Sequence, residues 1–306
     1  MIMGRKFFVA AVLTTAVVTP SHGQYFGLKL RGDAGLLSGS QPGPGIYVAL
    51  PLYFRADYSS VRLADGSKLP GDINSTVALV APAVTVTTKW KILGATYGAA
   101  IVPAFMRQRL TALNDTKESS NPYGFADLFA QPLSLGWRFK RVDVEAGYGF
   151  YAPTGSGDRT LDMWGHELIA GTTVFLDGEK KWHVSATGFF DIYQRKRSED
   201  IRVGDFLTVE GGAGRSFLKG AGSAGLAYFG QWKMTRDKGT DIPAVLRGVG
   251  KNRAIGLGPE INVPFFKKGS VLGLIGVRYT FEVDNVVNFQ GQNLLVTLTI
   301  AKISGM

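Results

Sequence analysis

An all-β fold, a membrane-spanning antiparallel up-and-down β-barrel of about twelve strands, is what this sequence predicts, and three observations predict it. Apolar and polar residues alternate with period two, as in Val142-Asp143-Val144-Glu145-Ala146-Gly147-Tyr148-Gly149-Phe150. Valines, alanine and aromatics fall on one parity there, carboxylates and glycines on the other, the pattern of a strand with one apolar and one polar or small face. The connections between such runs alternate between short and long, as an even-stranded barrel with both termini on the periplasmic side requires. No apolar run long enough for a membrane helix follows the N-terminal region, and no 3.6-residue apolar periodicity is evident.

The N-terminal region reads Arg5-Lys6, an apolar run from Phe7 to Val18, then the small residues around Pro20-Ser21-His22-Gly23. That order predicts a signal peptide over residues 1–23 with cleavage before Gln24, because the run is too short to span a bilayer as a helix. Loss of Arg5 and Lys6 leaves 32 basic against 24 acidic residues, net +8. The basic residues stand singly at alternate positions and at turns, with no run longer than Arg195-Lys196-Arg197, so no nucleic-acid partner is expected. Cysteine is absent, which excludes disulfides, thiolate metal sites and a cysteine nucleophile.

Residues 24–44 are rich in Gly, Ser and Pro and end in Gln41-Pro42-Gly43-Pro44, the composition of an irregular segment that is either a periplasmic lead-in or a lumen insert. Residues 45–306 form the barrel. Strands are expected at 46–58, 77–90, 92–107, 128–139, 142–152, 166–176, 183–195, 206–217, 223–234, 254–265, 271–283 and 293–302, each long enough to cross tilted. Short turns fall at Trp90–Lys91, Lys140–Arg141, Asp177–Trp182, Leu218–Gly222 and Phe266–Ser270, and long loops at 59–76, 108–127, 153–165, 196–205, 235–253 and 284–292. Trp90, Trp137, Phe139, Trp182, Phe217 and Phe265 flank the short turns; Tyr58, Tyr151, Trp164, Trp232 and Phe281 flank the long loops. Such rings are expected as two girdles at the headgroups. Pro51, Pro82, Pro103, Pro132, Pro259 and Pro264 fall inside these strands, and a closed barrel has no edge for a missing N–H, so bulges or distortions are expected there.

Turning the apolar parity to lipid leaves an inner, lumen-lining set: Arg55, Asp57, Lys89, Arg138, Asp143, Glu145, Glu167, Asp191, Arg195, Glu210, Lys233, Glu260, Arg278 and Glu282. A charge facing lipid at mid-membrane costs about 2–4 kcal/mol, which favours this assignment. The set has both signs, so it reads either as a ladder of ion pairs that fills a narrow barrel or as a polar lining that ligands touch in passage.

His183-Val184-Ser185 places a base and a hydroxyl on one strand face, as a hydrolase pair needs. The pair lies at the periplasmic end of its strand, Asp191 is too far along it to orient the base, and catalysis is not expected. His166 and His183 are predicted at opposite barrel ends, so a histidine metal site is not expected either. Neither a phosphate-binding loop nor a dinucleotide fingerprint occurs, and no cofactor is implied. The carboxylates Asp115, Asp158 and Asp162 are read as solvated loop charge rather than a calcium site.

The chain resembles the outer-membrane proteins grouped under the MetA pathway of phenol degradation. The matching stretches are Gly35 to Asp57 with Pro42-Gly43-Pro44-Gly45-Ile46-Tyr47, then Gly124-Phe125-Ala126-Asp127 with Pro132, Trp137, Asp143 and Pro153-Thr154-Gly155. Gly258-Pro259-Glu260 and the segment from Arg278 to Gln292, with Asn288-Phe289-Gln290-Gly291, follow in order. The resemblance implies a barrel in the bacterial outer membrane that passes small hydrophobic or aromatic solutes. Its C-terminus, Ile303-Ser304-Gly305-Met306, departs from the terminal aromatic of many such barrels. The expected partners are outer-membrane lipid and lipopolysaccharide, the barrel-assembly machinery and that solute. A surface barrel that adheres through the loops at 108–127 and 235–253 is the alternative.

Overall fold

The computed structural model describes residues 27–49, 53–68, 73–112, 117–120, 122–242, 250–267 and 270–302. The predicted signal peptide, Pro51, Asp115 and the C-terminal Ile303-Ser304-Gly305-Met306 lie outside them.

Seventeen strand segments form one sheet. The first eight are β1 (Gly45–Ala49), β2 (Tyr53–Arg62), β3 (Ile73–Val80), β4 (Ala83–Ile92), β5 (Ala95–Val102), β6 (Phe105–Ala112), β7 (Lys117–Ser120) and β8 (Gly124–Phe125). The others are β9 (Leu128–Arg138), β10 (Val142–Ala152), β11 (Gly165–Phe175), β12 (Trp182–Tyr193), β13 (Phe206–Phe217), β14 (Gly222–Lys233), β15 (Arg253–Lys267), β16 (Ser270–Val286) and β17 (Asn288–Lys302). β1 and β2 are two parts of one barrel strand, as are β3 with β4 and β5 with β6. With β9 to β17 they make twelve. β7 and β8 pair only with β6, on the loop side.

β17 pairs antiparallel with both β1 and β2, which closes the sheet on itself and leaves no edge. The outside of this barrel carries Leu168, Leu226, Leu257, Ile261, Ile275 and Val277, all exposed and aliphatic. Such a band is unfavourable against water and matched to hydrocarbon. The protein is an all-β, closed antiparallel barrel of the outer membrane.

Four short turns meet the strand ends close to where the sequence places them. The β4–β5 turn is displaced from Trp90–Lys91 to Leu93-Gly94, both at positive φ. Two consecutive left-handed residues make the hairpin turn whose twist suits antiparallel strands, and Gly94 supplies one without steric cost. The long loop expected at 284–292 is absent. β16 and β17 run through it and turn on Val287 alone. The polar residues that suggested a loop are instead buried: Asn285 donates to Glu282 at 2.8 Å, and the Gly291 amide does so at 3.0 Å.

Three of these prolines, Pro82, Pro103 and Pro132, sit where the ladder is broken. Pro82 and Pro103 occupy the gaps between β3 and β4 and between β5 and β6. Pro132 lies within register shifts on both sides of β9. Pro264 pairs with Leu274, one residue before the shift that follows Phe265, and Pro259 pairs with Leu226. A residue without an N–H costs least where a ladder bond is already missing.

Candidate functional site

Residues paired directly across a ladder share a face, so the register settles which side chains enter the lumen. On β9 to β16 the inward positions include Arg138, Asp143, Glu145, Glu167, Asp191, Glu210, Lys233, Glu260, Arg278 and Glu282. Most of these are buried, and Asp191 and Glu210 have no exposed surface.

What buries them is the chain's own N-terminal segment. The Gly32 and Ala34 amides donate to the two carboxylate oxygens of Glu210, at 2.8 and 2.7 Å. The Leu36 amide donates to Glu260 at 3.2 Å. Arg278 donates to the Gly32 carbonyl at 2.6 Å and pairs with Glu260 at 2.6 Å. Ser40 donates to Asp143 at 2.9 Å, and Arg138 donates to the Gln41 carbonyl. Arg31 pairs with Glu282 at 3.1 Å and donates to Tyr58 at 2.8 Å. Lys29 pairs with Asp33 and stands 4.1 Å above the Phe189 ring. These partners come from β2, β9, β10, β12, β13, β15 and β16. A segment that touches strands all round a closed barrel lies inside it.

The segment threads lengthwise. The Leu28 amide donates to the hydroxyl of Tyr193, at the long-loop end of β12, whereas Gln41 meets Ser134 and Arg138 near the short β9–β10 turn. The fit is close: a Cβ at Gly39 would collide with the backbone of Thr172, and one at Gly35 with Arg278 and Glu260. Buried carboxylates are costly unless hydrogen-bonded; backbone amides satisfy Glu210, and an amide together with Arg278 satisfies Glu260.

The remaining sector of the lumen is apolar. Phe54, Ala56, Leu79, Ala81, Ala104, Ala126 and Leu295 form one buried cluster, and Leu30 of the N-terminal segment packs against it. Tyr58 and Tyr151, expected in the outer girdle, face inward instead, Tyr58 to Arg31 and Tyr151 to Glu167. Trp90, Phe139, Trp164, Trp182 and Phe281 are exposed on the outside.

Four residues of the expected inner set stand elsewhere. Arg55 and Asp57 are on the outward face, paired with each other at 2.8 Å, because the parity that faces in is odd on β1 and even on β2. Arg195 lies beyond the end of β12 at Tyr193, in a loop, where it pairs with Asp200. Lys89 is exposed near the β4–β5 turn, in the register shift between the paired positions Thr87 and Lys91. Lys233 faces inward and pairs with Asp237 of the following loop at 2.6 Å.

Sequence reasoning missed Lys29, Arg31, Ser134, Tyr193 and Gln231. The neutral ones share the parity of Asp143, Asp191 or Lys233 and were legible had polar residues been counted with charged ones. Nothing in the pattern singles out Lys29 and Arg31.

His183 and Ser185 both face the lumen. Ser185 donates to the Gly35 carbonyl at 3.3 Å and accepts from the Gly212 amide at 3.1 Å, while His183 lies 3.4 Å from Ser216. Ser185 thus holds the N-terminal segment. Among the described residues no group of histidines and carboxylates is placed to hold a metal ion. Asp162 accepts from Arg197 and from the Ser198 amide. Burial alone would raise its carboxyl, but these donors hold it below the usual carboxylate range.

A closed, twelve-stranded outer-membrane barrel with an occupied lumen is the class that fold and site define. By sequence, residues 59–298 match the family described as "Putative MetA-pathway of phenol degradation", and the chain belongs to that family. No curated protein matches it in sequence. In structure it is similar to the COG4313 outer membrane channel from Pseudomonas putida F1, with a TM-score of 0.70 and 14% identity over 86% of this chain and 97% of that one. It is more distantly similar to the β domain of the Bordetella autotransporter BrkA, TM-score 0.46 and 9% identity over 85% of this chain and 100% of that one. The translocator domain of NalP from Neisseria meningitidis also scores 0.46, with 13% identity over 85% of this chain and 89% of that one.

Proposed function

We propose that the protein is an outer-membrane channel that passes small hydrophobic or aromatic solutes passively, along the apolar sector of the lumen beside its N-terminal segment. The observation that carries this reading is that residues 27–43, not packed wall side chains, occupy the lumen. Twelve strands enclose more space than the eight of a barrel filled by its own side chains. A single segment held by hydrogen bonds is a removable filling. One wall of the path is lined by Phe54, Leu79 and Leu295, the other by carboxylates and arginines. Such a lumen suits a solute with an apolar ring and a hydroxyl, consistent with the family's description. Ser185 has a part in this reading only in holding the segment, and His183 has none.

Single-channel recording in a planar bilayer tests it, on the full barrel and on a variant lacking residues 27–43. The full barrel is expected to show a small ohmic current that phenol reduces, and the deletion a conductance several-fold larger. A correctly folded deletion variant with no current would overturn the channel reading. A phenol-insensitive current in both would leave a channel but overturn the solute class.

A further inference from the structure

The excess positive charge of this chain lies at one end of the barrel. The five short-turn segments 89–94, 138–142, 176–182, 215–221 and 266–270 hold eleven basic residues and two acidic ones. All other residues beyond the predicted signal peptide hold 21 basic against 22 acidic, so the short turns supply the whole of the net +8. At the long-loop rim, basic residues stand beside acids: Arg197 pairs with Asp162, Arg202 with Asp205 and Arg253 with Asp284.

The two acids of the short turns are already engaged. Asp177 accepts from the Lys181 and Trp182 amides at 2.7 and 3.3 Å, and Glu179 pairs with Lys181. Lys180 turns inward to Asp143 at 3.5 Å. Lys140, Arg141 and Arg215 are exposed, and among the described residues no carboxylate pairs with them.

These three cations lie along one arc of the outer rim, from β10 to β13. Arg215 of β13 is directly opposite Trp182 of β12 and shares its outward face. Its guanidinium lies 5.5 Å from the centre of the Trp182 ring. The Leu176 amide, at the end of β11, donates to the Trp182 carbonyl at 2.8 Å. The Phe175 amide donates to the Arg141 carbonyl at 2.8 Å, which sets the β9–β10 turn against the same strand end. Phe139, next to Lys140, is exposed, as are Leu176 and Trp182. Adjacent strands are about 4.8 Å apart, so the arc spans about 14 Å, room for two phosphate groups side by side.

The short turns of such barrels face the periplasm, so this rim meets the inner leaflet. Aromatic rings settle between hydrocarbon and headgroup, and long basic side chains beside them carry their charge out to the phosphates. An acidic protein could reach the turn tips, Lys140 and Arg141. It could not readily reach Arg215, which lies on the lipid-facing wall beside Trp182, and that position favours lipid.

We infer that this arc binds the headgroups of anionic phospholipids in the inner leaflet of the outer membrane. Attraction to anionic lipid accumulates with each basic residue at the surface. Arginine adds paired, charge-assisted hydrogen bonds to phosphate. The site is independent of what crosses the lumen.

The test titrates the full barrel in detergent with phosphatidylglycerol, cardiolipin and phosphatidylethanolamine, reading bound lipid by native mass spectrometry. The wild type is expected to bind the two anionic lipids at least tenfold more tightly than the zwitterionic one. Lys140→Gln/Arg141→Gln/Arg215→Gln is expected to lose at least tenfold for anionic lipid and nothing for phosphatidylethanolamine, with the heat-modifiable gel shift of the folded barrel unchanged. Lys68→Gln/Arg195→Gln/Lys251→Gln removes the same charge from the long-loop rim and is expected to keep the wild-type preference. Equal wild-type affinity for anionic and zwitterionic lipid overturns the assignment and leaves the rim to an acidic protein. Equal losses in the two triple variants also overturn it, because net charge rather than this arc would then set the preference. Should the first variant fail to fold, Lys140→Gln/Arg141→Gln, confined to a turn, takes its place. At least a threefold loss is expected there, and no loss overturns the proposal.

Discussion

The nine strands β9 to β17 and the three assembled from β1 to β6 share one wall, yet they place their charges on opposite sides of it. In β10 to β16 an unbroken inward parity carries Asp143, Glu145, Glu167, Asp191, Glu210, Glu260, Arg278 and Glu282 into the lumen. In the three composite strands the lumen face is Phe54, Ala56, Leu79 and Ala104, and Arg55, Arg107 and Arg109 are outside. The N-terminal segment lies between, bonded to one sector and packed by Leu30 against the other. A charge facing lipid is tolerated only at the rim, so the composite strands can carry theirs outward only above their breaks. The polar sector fixes the segment in register, and the apolar sector lets it pack without directional bonds.

If that contrast is right, the largest effect comes from expelling the segment without touching any charge. Gly39→Leu puts a side chain into the backbone of Thr172. Conductance in a planar bilayer is expected to rise several-fold, towards that of the deletion lacking residues 27–43, while the folded-barrel gel shift is retained. Unchanged conductance would mean that the segment does not limit the path.

The two sectors then differ in what an arginine contributes. Arg278 is buried against Glu260 and the Gly32 carbonyl, and Arg278→Ala leaves that carboxylate buried without its cation. Loss of one partner of a buried pair costs about 3–5 kcal/mol. Arg55 forms a half-exposed pair with Asp57, and Arg55→Ala is expected to cost under about 1 kcal/mol. Urea unfolding midpoints of the two variants, followed by tryptophan fluorescence, make the comparison, and similar midpoints would break it. Glu210→Ala leaves the buried Gly32 amide and the partly buried Ala34 amide unpaired, at up to about 1–3 kcal/mol each. Because the strand ladders are untouched, the loss is expected as faster hydrogen exchange at those amides and earlier cleavage of the segment by added protease. Exchange as slow as in the wild type would show that Glu210 does not hold it.

The same contrast decides what the sequence disclosed. Along β10 the period-two pattern runs from Val142 to Phe150 without a slip, so Asp143 and Glu145 could be placed in the lumen by parity alone. A shift of one residue turns every side chain to the other face, and from β1 to β2 the outward set passes from even positions, Ile46 and Val48, to odd ones, Arg55 and Asp57. Arg55 and Asp57 were therefore assigned to the wrong side by the rule that succeeded elsewhere. Arg195 was misplaced for a simpler reason, that β12 stops at Tyr193 and the charge belongs to a loop. The tight turn at Val287 was hidden because Asn285 and Asn288 are loop formers in most settings and become lumen residues only once Glu282 is there to bond Asn285. Least legible was the destination of residues 27–43. Their contacts run largely through backbone amides and carbonyls, which every sequence possesses, and no side-chain pattern announces them.

The smallest effect lies outside the membrane, where the long loops of β10–β11 and β12–β13 meet. Asp162 accepts from Arg197 at 2.8 Å and from the Ser198 amide at 2.9 Å, and these donors hold its carboxyl below the ordinary value despite partial burial. A group depressed on folding contributes stability that is fully present above its unfolded value, near pH 4. That contribution disappears as pH falls through the lower folded value. An NMR titration of the Ser198 amide from pH 7 towards 2 is expected to move in one step with its midpoint below that of a free aspartate, and Asp162→Asn is expected to abolish the step. Because Arg197 is largely exposed, the energy is that of a surface pair, and conductance should not follow the transition. A current that tracked it would tie this loop contact to the lumen, and the division between a gripping interior and a weakly coupled exterior would no longer hold.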